Sequence, residues 1–469
     1  AYTHTPAARN QRELMVSPRC TASVATAKVP IRVTRIQTGF DKRLIGKEII
    51  DPKAWFWHLE EPASDRLGYL WSMAPWLRFF RWIALIAGIG ILTGAASAAL
   101  LFGLDHAYQL FLAHRLLGLG LPFFGAFTIL LYRRFGGLSE RGNNLLVEEI
   151  NAPARPVPWL MAPLVFLGTL LTHLGGGSAG REGSAVQMGG AFADFLGRRF
   201  QVDDKTRRIL LMAGAGAGFS ALFGTPVAGC LFGMEFSLVG GLTLEGLLPC
   251  LAAALLADRV ALLCGAHHVL YRIPALPHAT LPNLGWVLAA GLCFGLAARA
   301  YCLAYHSLSK LWKRVSRPTV RILLGGALVA LLLAIPGAVR YSGLGVPLMI
   351  QSFQTPLLPW DFALKGLLTA LTLSVGFKGG EVTPLFCVGA CLGNALAVFL
   401  PLPMPLLAGT GFVALFGACA NTPLAAAVMG IELFGGESAP WMFAACVAAY
   451  AVSGLPGIYA SQKVRVPKL

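Results

Sequence analysis

Between two strongly apolar segments the chain reads Gly175-Gly176-Gly177-Ser178-Ala179-Gly180-Arg181-Glu182-Gly183-Ser184-Ala185-Val186-Gln187-Met188-Gly189-Gly190. An arginine beside a glutamate in such a setting needs a chemical reason. Ionisable side chains are costly in hydrocarbon, and non-helical backbone survives there only where it is buried in protein or lines a wet cavity. Glycines let the chain leave a helix and bare its N–H groups, and a helix restarting near Glu182 would aim its positive dipole end at the break. These residue types point to an anion site with a carboxylate beside it. The competing reading is a structural ion pair between Arg181 and Glu182, weakened by the rule that adjacent residues on a helix do not face each other.

The elements that must position this stretch are membrane helices. Of the 469 residues 56% are hydrophobic and only 13% charged, and the mean hydropathy is +0.66, which excludes a soluble globule with a single anchor. Apolar runs fall at 79–104, 116–132, 159–174, 209–236, 244–264, 284–306, 321–337, 362–377, 385–400, 405–434 and 440–454. Their Gly and Pro interruptions are typical of transporters with discontinuous helices. The fold class expected is all-α integral membrane, multi-pass, with broken and tilted helices. Arg78 and Arg81 flank the first run and argue for a cytoplasmic N-terminal side.

The net charge of +16 first suggests nucleic acid. However, the basic residues are spread through short loops and the N-terminal tail, so positive-inside topology and an anionic leaflet explain them, and no nucleic-acid partner is expected. The ten cysteines form no CxxC pair and mostly sit in apolar runs, where packing is their expected role. Cys387 and Cys391 share a helical face, but no His or carboxylate completes a metal set nearby, and no cofactor motif is present. Residues 1–72 form a basic tail, read as a disordered extension or as upstream sequence outside the working protein, ahead of a transit peptide. A first membrane repeat is expected over 73–266, a polar connection over 267–283, a second repeat over 284–454 and a C-terminal segment over 455–469.

The repeat is read from self-similarity. Gly218-Phe219-Ser220-Ala221-Leu222-Phe223-Gly224-Thr225-Pro226, continuing to Gly233-Met234-Glu235, recurs as Gly411-Phe412-Val413-Ala414-Leu415-Phe416-Gly417, then Asn421-Thr422-Pro423 and Gly430-Ile431-Glu432. Upstream, Gly180-Arg181-Glu182 is echoed by Gly379-Gly380-Glu381. Two homologous halves with Gly-rich breaks at matching places suggest a transporter whose site lies near the midplane, where the halves meet. The halves are expected to be inverted relative to one another, although runs this broken do not give the topology by counting. Glu235 and Glu432 end their runs symmetrically and read as helix-end or loop partners.

With these motifs the chain resembles the CLC chloride channels and proton-coupled anion antiporters. Gly180-Arg181-Glu182-Gly183 looks like the family's gating-glutamate motif, and Gly379-Gly380-Glu381-Val382-Thr383-Pro384 like its second anion-site motif. Gly142-Asn143-Asn144-Leu145 stands in place of the first anion-site loop, and Tyr459 in place of the central tyrosine. The resemblance covers about residues 79 to 462. It implies a homodimer with one anion pathway per subunit, lined by Asn143, Asn144, Gly180, Arg181, Gly183, Val382, Thr383 and Tyr459. Three departures from the chloride pattern look like the family's fluoride-exporting branch. Asn143 and Asn144 replace a serine hydroxyl, Glu381 replaces an apolar residue, and Phe236 stands where chloride antiporters carry a second, inner glutamate.

On this reading Glu182 competes with the anion for one amide-lined seat, leaving when protonated and so linking anion to proton movement. Asn143 supplies amide N–H donors to a small, tightly hydrated anion, while Asn144 supplies the same or caps the following helix. Glu381 is expected either to titrate together with Glu182 or to pass protons in the absence of an inner glutamate. Thr383 donates its hydroxyl to the anion or to Glu381, and Tyr459 offers its phenol to the inner end. The expected function is a proton-coupled antiporter that exports fluoride, in a bacterial inner membrane. A chloride antiporter or passive chloride channel is the alternative, with fluoride or chloride, protons and the lipid bilayer as partners. An intramembrane enzyme is disfavoured, because the chain has no HExxH, no intramembrane Asp pair and no Gly-x-Ser-x-Gly elbow.

Overall fold

The computed structural model describes residues 75–269 and 271–468, so the basic tail lies outside the described residues. The first half runs through α1 (Pro75–Ala113), α2 (Leu121–Leu131), α3 (Asn143–Asn151), α4 (Met161–Leu174), α5 (Glu182–Arg199), α6 (Asp204–Phe223), α7 (Pro226–Glu235) and α8 (Leu247–Leu263). The second half repeats the order as α9 (Leu281–Trp312), α10 (Pro318–Leu333), α11 (Val346–Gln351), α12 (Asp361–Val375), α13 (Val382–Leu396), α14 (Met404–Ala420), α15 (Pro423–Phe434) and α16 (Ala439–Val452). Among the described residues, four stretches are long and apolar enough to cross a bilayer: Trp76–Ala113, Arg115–Asn151, Leu244–Leu263 and Leu281–Trp312. Several of the others are short apolar helices of 10–17 residues.

The runs expected at 209–236 and 405–434 are each two helices. Gly224 closes α6 in the left-handed region (φ 69°) and Pro226 opens α7. Asn421 (φ 59°) and Pro423 do the same between α14 and α15. A left-handed residue stops a helix and a proline at the first helical position starts one, so Gly-Thr-Pro and Asn-Thr-Pro are stop-and-start signals within an apolar run.

The two halves are joined by exchanged contacts. Glu235, at the end of α7, accepts the N–H groups of Leu424 (3.2 Å) and Ala425 (2.8 Å) at the start of α15. Glu432, near the end of α15, accepts those of Val227 (2.9 Å) and Ala228 (2.7 Å) at the start of α7. Each glutamate thus satisfies helix N–H groups that have no partner in their own helix, as their symmetrical placement in the sequence suggested. Within each half, glycine sets the helix crossing behind the site. A Cβ on Gly189 would collide with the Gly214 carbonyl where α5 meets α6, and a Cβ on Gly389 with the Gly411 carbonyl where α13 meets α14. Backbones this close admit no side chain between them.

The end of the chain returns to the middle of the molecule. β1 (Leu238–Val239) pairs in parallel with β2 (Lys463–Val464). The Gln462 side chain donates to the carbonyls of Phe236 (2.8 Å) and Ala420 (2.8 Å), and the Ile458 N–H donates to Cys419 O (2.9 Å). These bonds hold Tyr459 in the interior, 4% exposed.

Candidate anion site

Two loops meet at the centre. One, 175–181, leads from α4 into α5; the other, 376–381, leads from α12 into α13. Gly180 and Gly380 form an antiparallel bridge, with Gly180 N–H to Gly380 O at 2.5 Å and Gly380 N–H to Gly180 O at 2.8 Å. Both hydrogen bonds run between the same two residues, the mark of a local two-fold relation. The bridge also corrects the register read from sequence, which aligned Glu182 with Glu381. Gly180 pairs with Gly380, and α5 and α13 begin at Glu182 and Val382. Glu381 is therefore the counterpart of Arg181, each standing just ahead of its helix.

Glu182 is fully buried, and its carboxylate is seated across the junction of the halves. Oε2 accepts the backbone N–H groups of Thr383 (2.9 Å) and Arg181 (3.2 Å), and the Thr383 hydroxyl donates to Oε1. An anionic group thus sits at the N-terminus of α13, where bare N–H groups and the helix dipole both favour negative charge. Arg181 Nε lies 3.4 Å from Oε1, so the ion pair disfavoured from sequence is made. The helical spacing rule does not apply to it, because Arg181 precedes the helix with φ −120° and ψ −23°. Its guanidinium also reaches Leu222 O (3.4 Å) and the face of Phe223.

Asn143, the first residue of α3, is brought to this junction. A Cβ on Gly183 would lie 3.0 Å from Asn143 Nδ2 and 3.1 Å from Gly380 Cα. The Asn143 carbonyl oxygen is buried without a hydrogen-bond partner, and a half-turn of the amide would present its two N–H donors there instead. Asn144 neither caps α3, whose N-cap is Gly142, nor faces the seat with its oxygen. That oxygen accepts the Ser461 N–H (3.1 Å), and Ser461 Oγ donates to Glu148 (2.9 Å), so Asn144 ties the Tyr459 segment to α3. Val382 is buried at the first position of α13.

The Tyr459 hydroxyl is buried without a hydrogen-bond partner, and both Glu182 and Glu381 lie within electrostatic reach of it. Phe236 packs edge-on against the Tyr459 ring (6.0 Å, 84°) and stacks on Phe232 (5.2 Å), filling its position with an aromatic cluster. Glu381 is partly buried and acts electrostatically on Tyr301, Tyr305 and Tyr459. Thr383 gives its hydroxyl to Glu182, not to Glu381 as one of the two sequence readings had it.

Three residues not singled out in the sequence support the site. The ring nitrogens of His173, near the end of α4, lie 2.8 Å from Thr169 O and 3.0 Å from Ala179 O, tying the first loop to its own helix. Tyr271, in the 267–283 connection, packs on Phe412 (5.3 Å) within electrostatic reach of Arg181 and Glu182. Lys365 is fully buried in α12 and donates to Ser178 of the first loop. A signal for it existed, since a lysine inside the 362–377 run is as anomalous as Glu182.

Residues 124–454 match the family model described as voltage gated chloride channel. A chloride/fluoride channel protein of Pseudomonas syringae pv. tomato is 46% identical over 391 residues, covering 82% of this chain and 86% of that protein. The H(+)/Cl(-) exchange transporter ClcA of Vibrio vulnificus is 28% identical over 356 residues, covering 70% of this chain and 74% of that one. Among solved structures, a CLC-type fluoride/proton antiporter superposes with a TM-score of 0.81 at 35% identity, covering 84% of this chain and all of its own. A slow cyanobacterial Cl−/H+ antiporter superposes at 0.70 with 19% identity, covering 80% of this chain and 94% of that one, a likeness of fold.

Proposed function

Because the chain belongs to the voltage-gated chloride channel family, we propose that it exports fluoride in exchange for protons, with Glu182 as the gate. The observation that carries this reading is the seat of the Glu182 carboxylate, built from Thr383 and Arg181 donors. An amide-lined pocket at a helix N-terminus is an anion site, and here a carboxylate fills it. Protonation removes the charge that holds Glu182 in that seat, so the side chain leaves and an anion takes the vacated N–H groups. Deprotonation returns it and expels the anion, so anion and carboxylate exclude one another from the seat and anion movement is linked to proton movement.

Fluoride is favoured as cargo by the Asn143 amide in place of a hydroxyl, by the second carboxylate at Glu381 and by Phe236 in place of an inner glutamate. Fluoride is also handled by the Pseudomonas relative, a chloride/fluoride channel protein, and by the 35%-identical fluoride/proton antiporter. Gly180, Arg181, Gly183 and Val382 frame the seat, and Tyr459 offers its free hydroxyl toward its inner end. With Phe236 filling the inner position, Glu381 is left as the carboxylate that hands protons to or from Glu182. We place the protein as a homodimer in a bacterial inner membrane, with one pathway per subunit and no catalytic chemistry.

Reconstituted protein in liposomes tests the reading. A fluoride gradient should drive proton movement, and Glu182→Gln should abolish that coupling. Chloride moving as readily as fluoride, or fluoride moving without protons, would give the site to a chloride transporter or a channel instead.

A further inference from the structure

We propose that Lys365 is a fixed buried cation that positions the first site loop and strengthens anion binding at it, acting through Ser178. This rests on the reading of the loop as an anion seat. The ammonium is 0% exposed and makes three hydrogen bonds: to Ser178 Oγ (2.9 Å), Tyr341 O (2.9 Å) and Gly343 O (2.8 Å). Its protonation state follows from counting hydrogens. The Thr369 hydroxyl donates to Lys365 O (2.9 Å). Ser178 and Thr369 share a bond of 2.8 Å, and with the Thr369 hydrogen committed, the Ser178 hydrogen must fill it. Ser178 can then only accept from Lys365, and the two carbonyls can only accept as well. Lys365 therefore carries three hydrogens and a full positive charge.

That charge has no local neutraliser. Among the described residues no carboxylate pairs with Lys365. Asp361, one turn away, is committed to Arg340 (2.9 Å) and to the Tyr341 hydroxyl (2.5 Å). The other titratable groups around it are His173 on α4 and the thiols of Cys387 and Cys391 on α13. A buried unpaired charge is expensive, so its presence here requires a compensating use.

Repeat symmetry shows where that use lies. The alignment of α4 with α12 that matches Thr169 to Thr369 and Thr172 to Thr372 matches Lys365 to Val165, a buried apolar residue. The halves support each other's loops crosswise: Gly177 approaches Thr372 of α12, while Gly168 of α4 packs on Lys378 of the second loop. The second loop has Arg321 at its start, its Nε donating to Val375 O (3.1 Å), and carries Lys378, whose ammonium sits over the Tyr132 ring; the cation beneath the first loop, which carries Glu182, is Lys365. The seat it supports takes either an anion or the Glu182 carboxylate, and a cation favours both.

The test measures fluoride binding by calorimetry in a Glu182→Gln background, where no carboxylate competes. Adding Lys365→Met should raise Kd about tenfold, the scale on which one unit charge acts through a partly polar interior. Lys365→Arg, which keeps the charge, should restore most of it, a rescue that a packing role would not give. Lys365→Gln, which keeps two N–H donors for the two carbonyls, carries the same test if the methionine variant does not fold by size exclusion. An unchanged Kd in either neutral variant, with Glu182→Gln alone binding fluoride, overturns the role of Lys365. Failure of Glu182→Gln alone to bind fluoride overturns instead the reading of the seat.

Discussion

Replacing Glu235 by alanine tests the exchanged caps directly. The substitution removes a carboxylate that accepts two N–H groups of α15, at 3.2 and 2.8 Å, from a position 7% exposed. Hydrogen bonds to a charged group contribute about 1.5–3 kcal/mol each, and water cannot readily reach the orphaned donors, so the loss should be about 3 kcal/mol or more. Glu432 makes the equivalent pair of bonds, at 2.9 and 2.7 Å, from a half-buried position. Solvent can partly replace its carboxylate, and Glu432→Ala should lose about 1–2 kcal/mol. Glu235→Gln retains one acceptor oxygen and should fall between wild type and Glu235→Ala. Thermal unfolding of detergent-solubilised protein, followed by size exclusion, ranks the variants. If Glu235→Ala melts with wild type, or above Glu432→Ala, the burial argument fails.

Thr383→Val deletes one hydroxyl that holds Glu182 and leaves the Thr383 N–H in place. The loss of about 1.5–3 kcal/mol shifts Glu182 out of its seat by roughly tenfold or more, and the fluoride-to-proton ratio in liposomes should rise; an unchanged ratio would refute it. At the surface, Asp203 caps α6 by accepting the Thr206 hydroxyl (2.6 Å) and N–H. The Thr206 hydrogen bond holds its carboxyl below the usual range. Its stabilisation is therefore complete above the unfolded value of about 4 and is lost as pH falls through the lower folded value. Because Asp203 is largely exposed, the contribution is under about 1 kcal/mol. Asp203→Asn should flatten the acid limb of the melting curve by that amount, and an unaltered limb would show that the cap carries no charge-dependent stability.

Much of this architecture is legible from residue type. The duplicated Gly-Phe-x-Ala-Leu-Phe-Gly frame announces two halves, and a charge pair in glycine announces the seat. What sequence could not give is register across the junction. Gly-x-Glu recurs in both halves, but the bridge pairs Gly180 with Gly380, and a one-residue slip makes Glu381 a helix-leading residue like Arg181. The Arg181–Glu182 pair escapes the sequence reading for a related reason, since the spacing rule requires both residues on a helix and the helix begins only at Glu182. The breaks after Gly224 and Asn421 were visible as Thr-Pro, but the surrounding hydrophobicity concealed them. Tyr271 acts through ring contact with Phe412, far along the chain, which no local pattern encodes, and His173 bonds carbonyls only four and six residues away that become its partners once the first loop folds back on α4.

The Gly180–Gly380 bridge and the crossed glutamate caps also constrain how this molecule can move. Rocking one half as a rigid body against the other, a common route to alternating access, would break two backbone hydrogen bonds at the seat and four at the caps together. Swinging the Glu182 side chain breaks only its own bonds. The repeats are therefore not moving parts but a single braced frame, and alternation between sides falls to individual side chains within it.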